Sequence, residues 1–188
     1  MQLFAKGERK RGFVLVILIS SLALLFFAGE EKKPLPQTIT SSADIYFEDF
    51  TTRITDINGN DKYHMNGKTL LHYKDRKSSE FRRAQITLFS SDNPPWLISS
   101  DKGIIHDDNS LIELQEKVVA TQTDKDDKIT AITADALLYP ETGILKSAEA
   151  VSVASNYHQT TGIGLNIDTK NRIVNINSDV KGTHNVSP

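Results

Sequence analysis

The chain has 188 residues, a formal net charge of −2 and no cysteine. That length holds one domain of ordinary size beside a short targeting segment, and the balanced charge excludes the broad basic field of a non-specific nucleic-acid binder. The missing cysteines exclude disulfides, thiolate metal sites, thiol catalysis and a lipidated cysteine together.

The first element is apolar. Phe13 to Ala28 reads FVLVILISSLALLFFA without a charge, behind Lys6, Arg9, Lys10 and Arg11. As a helix this run spans roughly 24 Å, or ~27 Å with Gly12 and Gly29, tight against a ~30 Å hydrocarbon core. A cleavable signal needs small residues spaced as in A-x-A, and Phe26 and Phe27 stand where one is required. The reading is a retained anchor over 12–29. Residues 1–11 stay cytoplasmic because Lys and Arg before a first span fix its orientation, and the remainder is exported. Residues 30–43 (EEKKPLPQTITSSA) lack helical or strand periodicity and read as a tether.

From residue 44 onward, short runs rich in Ile, Val, Thr, Tyr and Phe alternate with Asn-Gly, Asp-Asn, Pro-Pro and Thr-Gly breaks at about ten-residue spacing, the pattern of a sandwich, jelly roll or barrel. Phe50, Thr52 and Ile54 share one face of the first strand. Tyr63, Met65, Leu71 and Tyr73 share a face of the next. Ala84, Ile86 and Leu88 alternate, and after Pro94-Pro95 so do Trp96, Ile98 and Ile104. The second half repeats one design. Ile112, Leu114, Glu116, Val118 and Ala120 recur as Leu145, Ser147, Glu149, Val151 and Val153, then as Val174, Ile176, Ser178, Val180 and Gly182. Each set follows a similar strand and a polar turn, giving a hairpin of about thirty residues used three times, which must stack or fold into facing sheets to bury its apolar side.

Motifs for chemistry are missing. His64, His72, His106, His158 and His184 are scattered without metal-ligand spacing, and His106-Asp107-Asp108 falls where a hairpin turns. There is no nucleophile elbow, P-loop or dinucleotide fingerprint; Gly162-Ile163-Gly164 lacks a following helix and reads as a bulge or close backbone approach. Neither an enzyme, a metal nor a cofactor is expected. Aliphatic strand faces can either pack dry or leave a gap for an apolar ligand, and sheet edges can add a partner's strand.

The ordered combination of a short anchor, Ala43-Asp44 leading into FEDFTTRITDINGNDKYHM from Phe47 to Met65, PPWLISSDKGII from Pro94, and repeated strands ending at Val118, Val151 and Val180 resembles the LptC family of the Gram-negative lipopolysaccharide export system. The resemblance implies a twisted antiparallel β jelly roll over 44–188, open at its ends, whose hydrophobic groove shields lipid A acyl chains. It implies partners as well: the inner-membrane ABC transporter subunits LptB, LptF and LptG at the N-terminal edge, and the soluble bridge protein LptA at the C-terminal edge. No nucleic acid takes part. The expected groove comprises Phe50, Ile54, Tyr63, Met65, Phe81, Ile86, Leu88, Trp96, Ile98, Ile112, Leu114, Val118, Val151, Val174 and Ile176. By resemblance Gly162 matches a functional glycine, and the partner edge runs from Arg172 through Val174, Ile176 and Val180 to Gly182. Two other readings stand beside it: a membrane-anchored scaffold with a dry core that binds proteins through its sheet edges, and an exported enzyme, which lacks a visible polar cleft.

Overall fold

The computed structural model describes residues 42–184 except 92, 125 and 126. The anchor expected at 12–29 and most of the tether lie outside them. Among the described residues no helix is long and apolar enough to cross a membrane, and all regular structure is strand. The strands are β1 (Ile45–Thr55), β2 (Asp61–Tyr73), β3 (Ser78–Leu88), β4 (Trp96–His106), β5 (Ile112–Gln115), β6 (Val118–Thr123), β7 (Lys128–Thr133), β8 (Ala136–Tyr139), β9 (Ile144–Ala154), β10 (His158–Asp168) and β11 (Ile173–His184).

Every pairing is antiparallel. β5 and β6 both pair with β4, and β7 and β8 both pair with β9, so each couple is one long strand broken in the middle. The result is a single meander, β1 to β11, in which β1 and β11 are the free edges among the described residues. The turns are built from short-range carboxylate chemistry. Asp56 accepts backbone N–H groups of Asn58 and Asn60, and Asp168 does the same for Lys170 and Asn171.

A line of distorted residues crosses the sheet at mid-strand. Asp49, Arg83, Glu116, Lys117 and Asp179 have φ between 47° and 59°, and Gly164 has φ 77°. Asp49 faces Lys68 through a 2.8 Å ion pair, Arg83 sits between the pairs Thr69↔Arg82 and Asn66↔Gln85, and the Asp101 N–H donates to the Glu116 carbonyl at 3.0 Å. The line therefore runs continuously from β1 to the β5/β6 break, and it reappears in β10 and β11. A residue forced out of the extended region bends its strand and shifts the alternation of faces. The sheet creases along this line and doubles back on itself.

The crease corrects several expected faces. In β3 the inward positions are Ala84, Ile86 and Leu88 on one side of Arg83 but Phe81 on the other, all at most 3% exposed. In β2 the inward side passes from Tyr63 and Met65 to Leu70, which pairs with Phe81, so Leu71 and Tyr73 face outward. In β4 it passes from Trp96, Ile98 and Ser100 to Gly103, whose partners are Phe81 and Leu114, and Ile104 faces outward. Gly103 is required there: a Cβ would collide with the Phe81 ring and the Glu113 carbonyl.

Because a side chain in the left-handed region costs about 1–2 kcal/mol, exposed Lys117 gives a clean test of the crease. Lys117→Gly is expected to raise unfolding free energy by about 1 kcal/mol and Lys117→Val to lower it by about 1–2 kcal/mol, measured by urea denaturation.

Candidate functional site

The doubled sheet encloses one apolar cluster. Twelve of the fifteen expected groove residues (all but Ile54, Val174 and Ile176) are at most 7% exposed, and those three are half-buried against the same cluster. The structure thus brings the whole set together on one inward surface, filled by its own side chains. Residues at that surface which alternation did not pick out include Leu138, Leu165 and Ile167. Leu138 lies in a four-residue strand too short to show a period, and the glycines of β10 hide Leu165 and Ile167.

Register rows show where this surface begins and ends. Opposite residues in an antiparallel ladder share a face, so Phe47, Leu70, Phe81, Gly103 and Leu114 form one inward row. Phe81 is 1% exposed while Phe47, at the β1 edge, is 50% exposed. At the other edge the row through Val151 and Gly162 reaches Val180, which is 57% exposed. The apolar face is sealed at its centre and uncovered at both edge strands.

One corner is closed by polar contacts between distant strands. The Lys62 ammonium pairs with Glu141 in the β8–β9 turn. The Asn93 amide donates to the Lys170 carbonyl at 2.6 Å, and Lys170 Nζ to the Glu141 carbonyl at 2.9 Å. Gln122, 1% exposed, donates to the Pro94 carbonyl at 2.8 Å and accepts from Arg172 Nε at 3.0 Å, while Arg172 Nη1 reaches Asp124 at 2.8 Å. Arg172 stands in the turn before β11, with its guanidinium turned into this corner. Lys62 holds the Glu141 carboxyl below its usual range by hydrogen bond and charge, hydrogen bonds from Asn171 lower that of Asp168, and burial pushes the Tyr63 phenol up.

The expected partner-edge residues Val174, Ile176, Val180 and Gly182 all lie on β11, whose outer side pairs with no strand among the described residues. Gly162 sits opposite at a register shift between β10 and β11, where a Cβ would collide with the Ile176 side chain and come within 2.7 Å of the Ser178 carbonyl. Beside it an open depression of about 500 Å³ is lined by Ile132, Ala150, Ile163 and Lys181 among others. Among the described residues no group of three or more His, Asp or Glu side chains could hold a metal, and the carboxylates with lowered pKa serve turns and ion pairs. The arrangement combines a buried apolar face with two edge strands that have no outer partner among the described residues.

The family model for lipopolysaccharide-assembly, LptC-related proteins matches residues 13–185. Among solved structures, the crystal structure of LptH from Pseudomonas aeruginosa, the LptA-homologous periplasmic component of the lipopolysaccharide transport device, shares the fold with a TM-score of 0.53 at 10% identity, covering 67% of this chain and 95% of that one. No curated protein sequence matches.

Gly162→Ala is expected to speed amide hydrogen exchange along β11 by about tenfold or more, leaving β2 to β4 unchanged, since the added carbon pushes only the edge strand outward.

Proposed function

The chain belongs to the LptC-related lipopolysaccharide-assembly family, and we propose that within lipopolysaccharide transport it is the anchored periplasmic segment that takes lipid from the inner-membrane transporter and passes it to the soluble bridge. The observation that carries this reading is the inward apolar face, continuous from β1 to β11 and uncovered at both free edges. Each methylene kept from water is worth ~0.8 kcal/mol, so acyl chains cross an aqueous compartment only along such a face. The domain supplies a passage, with the drive coming from ATP hydrolysis in the transporter.

In this reading residues 12–29 hold the domain at the inner membrane with 1–11 in the cytoplasm and 44–188 in the periplasm. β1 joins the transporter's subunits LptF and LptG, which LptB powers, and β11 joins LptA. Lipid chains displace the packing around Phe50, Phe81, Trp96 and Ile98, so the filled interior is the state between deliveries. The dense packing also suits a protein-binding scaffold with a permanently dry core, and lipid contact separates the two.

A photo-reactive residue at Phe50, Trp96 or Ile176 is expected to crosslink lipopolysaccharide in cells, whereas one at His106, in the exposed β4–β5 turn region, is not; crosslinking at none of the inward positions leaves the scaffold. Ile176→Pro, which removes a backbone donor from β11, is expected to reduce co-purification of the bridge protein at least tenfold while transporter association persists.

A further inference from the structure

Trp96 has an unused donor. Its ring is 1% exposed within the apolar cluster, yet Nε1 has no hydrogen-bond partner among the described residues. A buried N–H left unpaired is costly, and nearly all such groups in folded proteins find an acceptor. Ser100 Oγ shares this condition but lies deeper on the same strand, opposite Ala84.

The surroundings of Trp96 are layered. On its inner side the next inward residue of β4 is Ile98, paired with Ile86, both fully buried. Directly opposite Trp96 is Gln122, whose amide bonds to the backbone of Pro94 and to Arg172. Beyond them come the charged groups of the closed corner, Lys62, Lys170 and Arg172 with Glu141 and Asp124. Passing outward, the order is hydrocarbon, one free hydrogen-bond donor, then cations with their counter-ions. An acylated anionic lipid has that same order along its length: acyl chain, acyl-linkage carbonyl, charged headgroup. Indole rings settle at such apolar-to-polar boundaries for this reason.

We propose that Trp96 is a specificity-determining residue that donates its indole N–H to an acyl-linkage carbonyl oxygen of a bound anionic lipid, fixing how far the chains slide into the fold. This rests on the lipid-conduit reading above. No bond is made or broken; the donor exchanges an unpaired state for a hydrogen bond.

The test uses the full-length protein in detergent and two probes of equal chain length, a diacyl phosphatidic acid and its dialkyl-ether analogue, which lacks both carbonyls. The wild-type protein is expected to bind the acyl lipid about tenfold more tightly, the worth of one buried hydrogen bond. Trp96→Phe, or 3-benzothienylalanine at position 96 where Phe fails to fold, is expected to bind both probes alike. The indole N–H resonance of the wild-type protein should shift with the acyl probe and stay in place with the ether. Equal binding of the two probes by wild type, or a preference that survives loss of the N–H, overturns the proposal while leaving the conduit reading intact. Binding of neither probe, together with no lipopolysaccharide binding, overturns both.

Discussion

A sheet of long strands with one apolar face has to cover that face with itself, and here the covering depends on the crease. Asp49, Arg83, Glu116, Lys117 and Asp179 accept a backbone region that each side chain disfavours. Burial of the large inward residues offsets that strain, because only a doubled sheet brings Leu138, Leu165 and Ile167 into one cluster with Tyr63, Leu88 and Trp96. The side chains on the crease line are charged and solvent-facing at Asp49, Arg83, Glu116 and Lys117, so the bend costs no buried polar group there. The polar corner then fixes how far the sheet closes.

Much of this was written in alternation. The all-β class, the turn positions and nearly every inward residue of β1, β3, β6 and β9 follow from period-two patterning. Alternation misled where the crease shifts it. Leu71, Tyr73 and Ile104 keep the parity of their strands in sequence, but the bend between Met65 and Leu70, and between Ser100 and Gly103, turns them outward. A signal for the crease was present: in each of the three repeated strands the middle inward position is polar, Glu116, Glu149 and Ser178, and all three are exposed. One such residue reads as noise, whereas three in register mark a line. The closed corner was less legible, since Gln122, Asn93 and Arg172 are brought together only by the fold and carry no local pattern.

The site is unusual in having its chemistry in the continuity of a surface. One inward row starts at exposed Phe47 on β1 and passes through side chains that exclude water, and a second row, which includes buried Thr133, ends at exposed Val180 on β11. A transport role needs this combination: enough cohesion to stay folded while empty and uncovered ends through which the face can extend onto neighbours. Membership of the LptC-related family and the shared fold with a periplasmic transport component agree with that physical reading.

The strand count has a consequence of its own. Among the described residues, eleven segments, two couples of which are halves of one strand, make nine strands in an antiparallel meander, and an odd number leaves the first and last pointing the same way. β1 offers Ile45, Tyr46 and Phe47 at 44–56% exposure, while β11 offers Asn175, Asn177, Asp179 and Lys181. The two edges are unlike in chemistry yet alike in direction. Modules of this kind joined last edge to first edge need no two-fold axis, and the row they form has a front and a back. The direction of such a row is then a matter of counting strands.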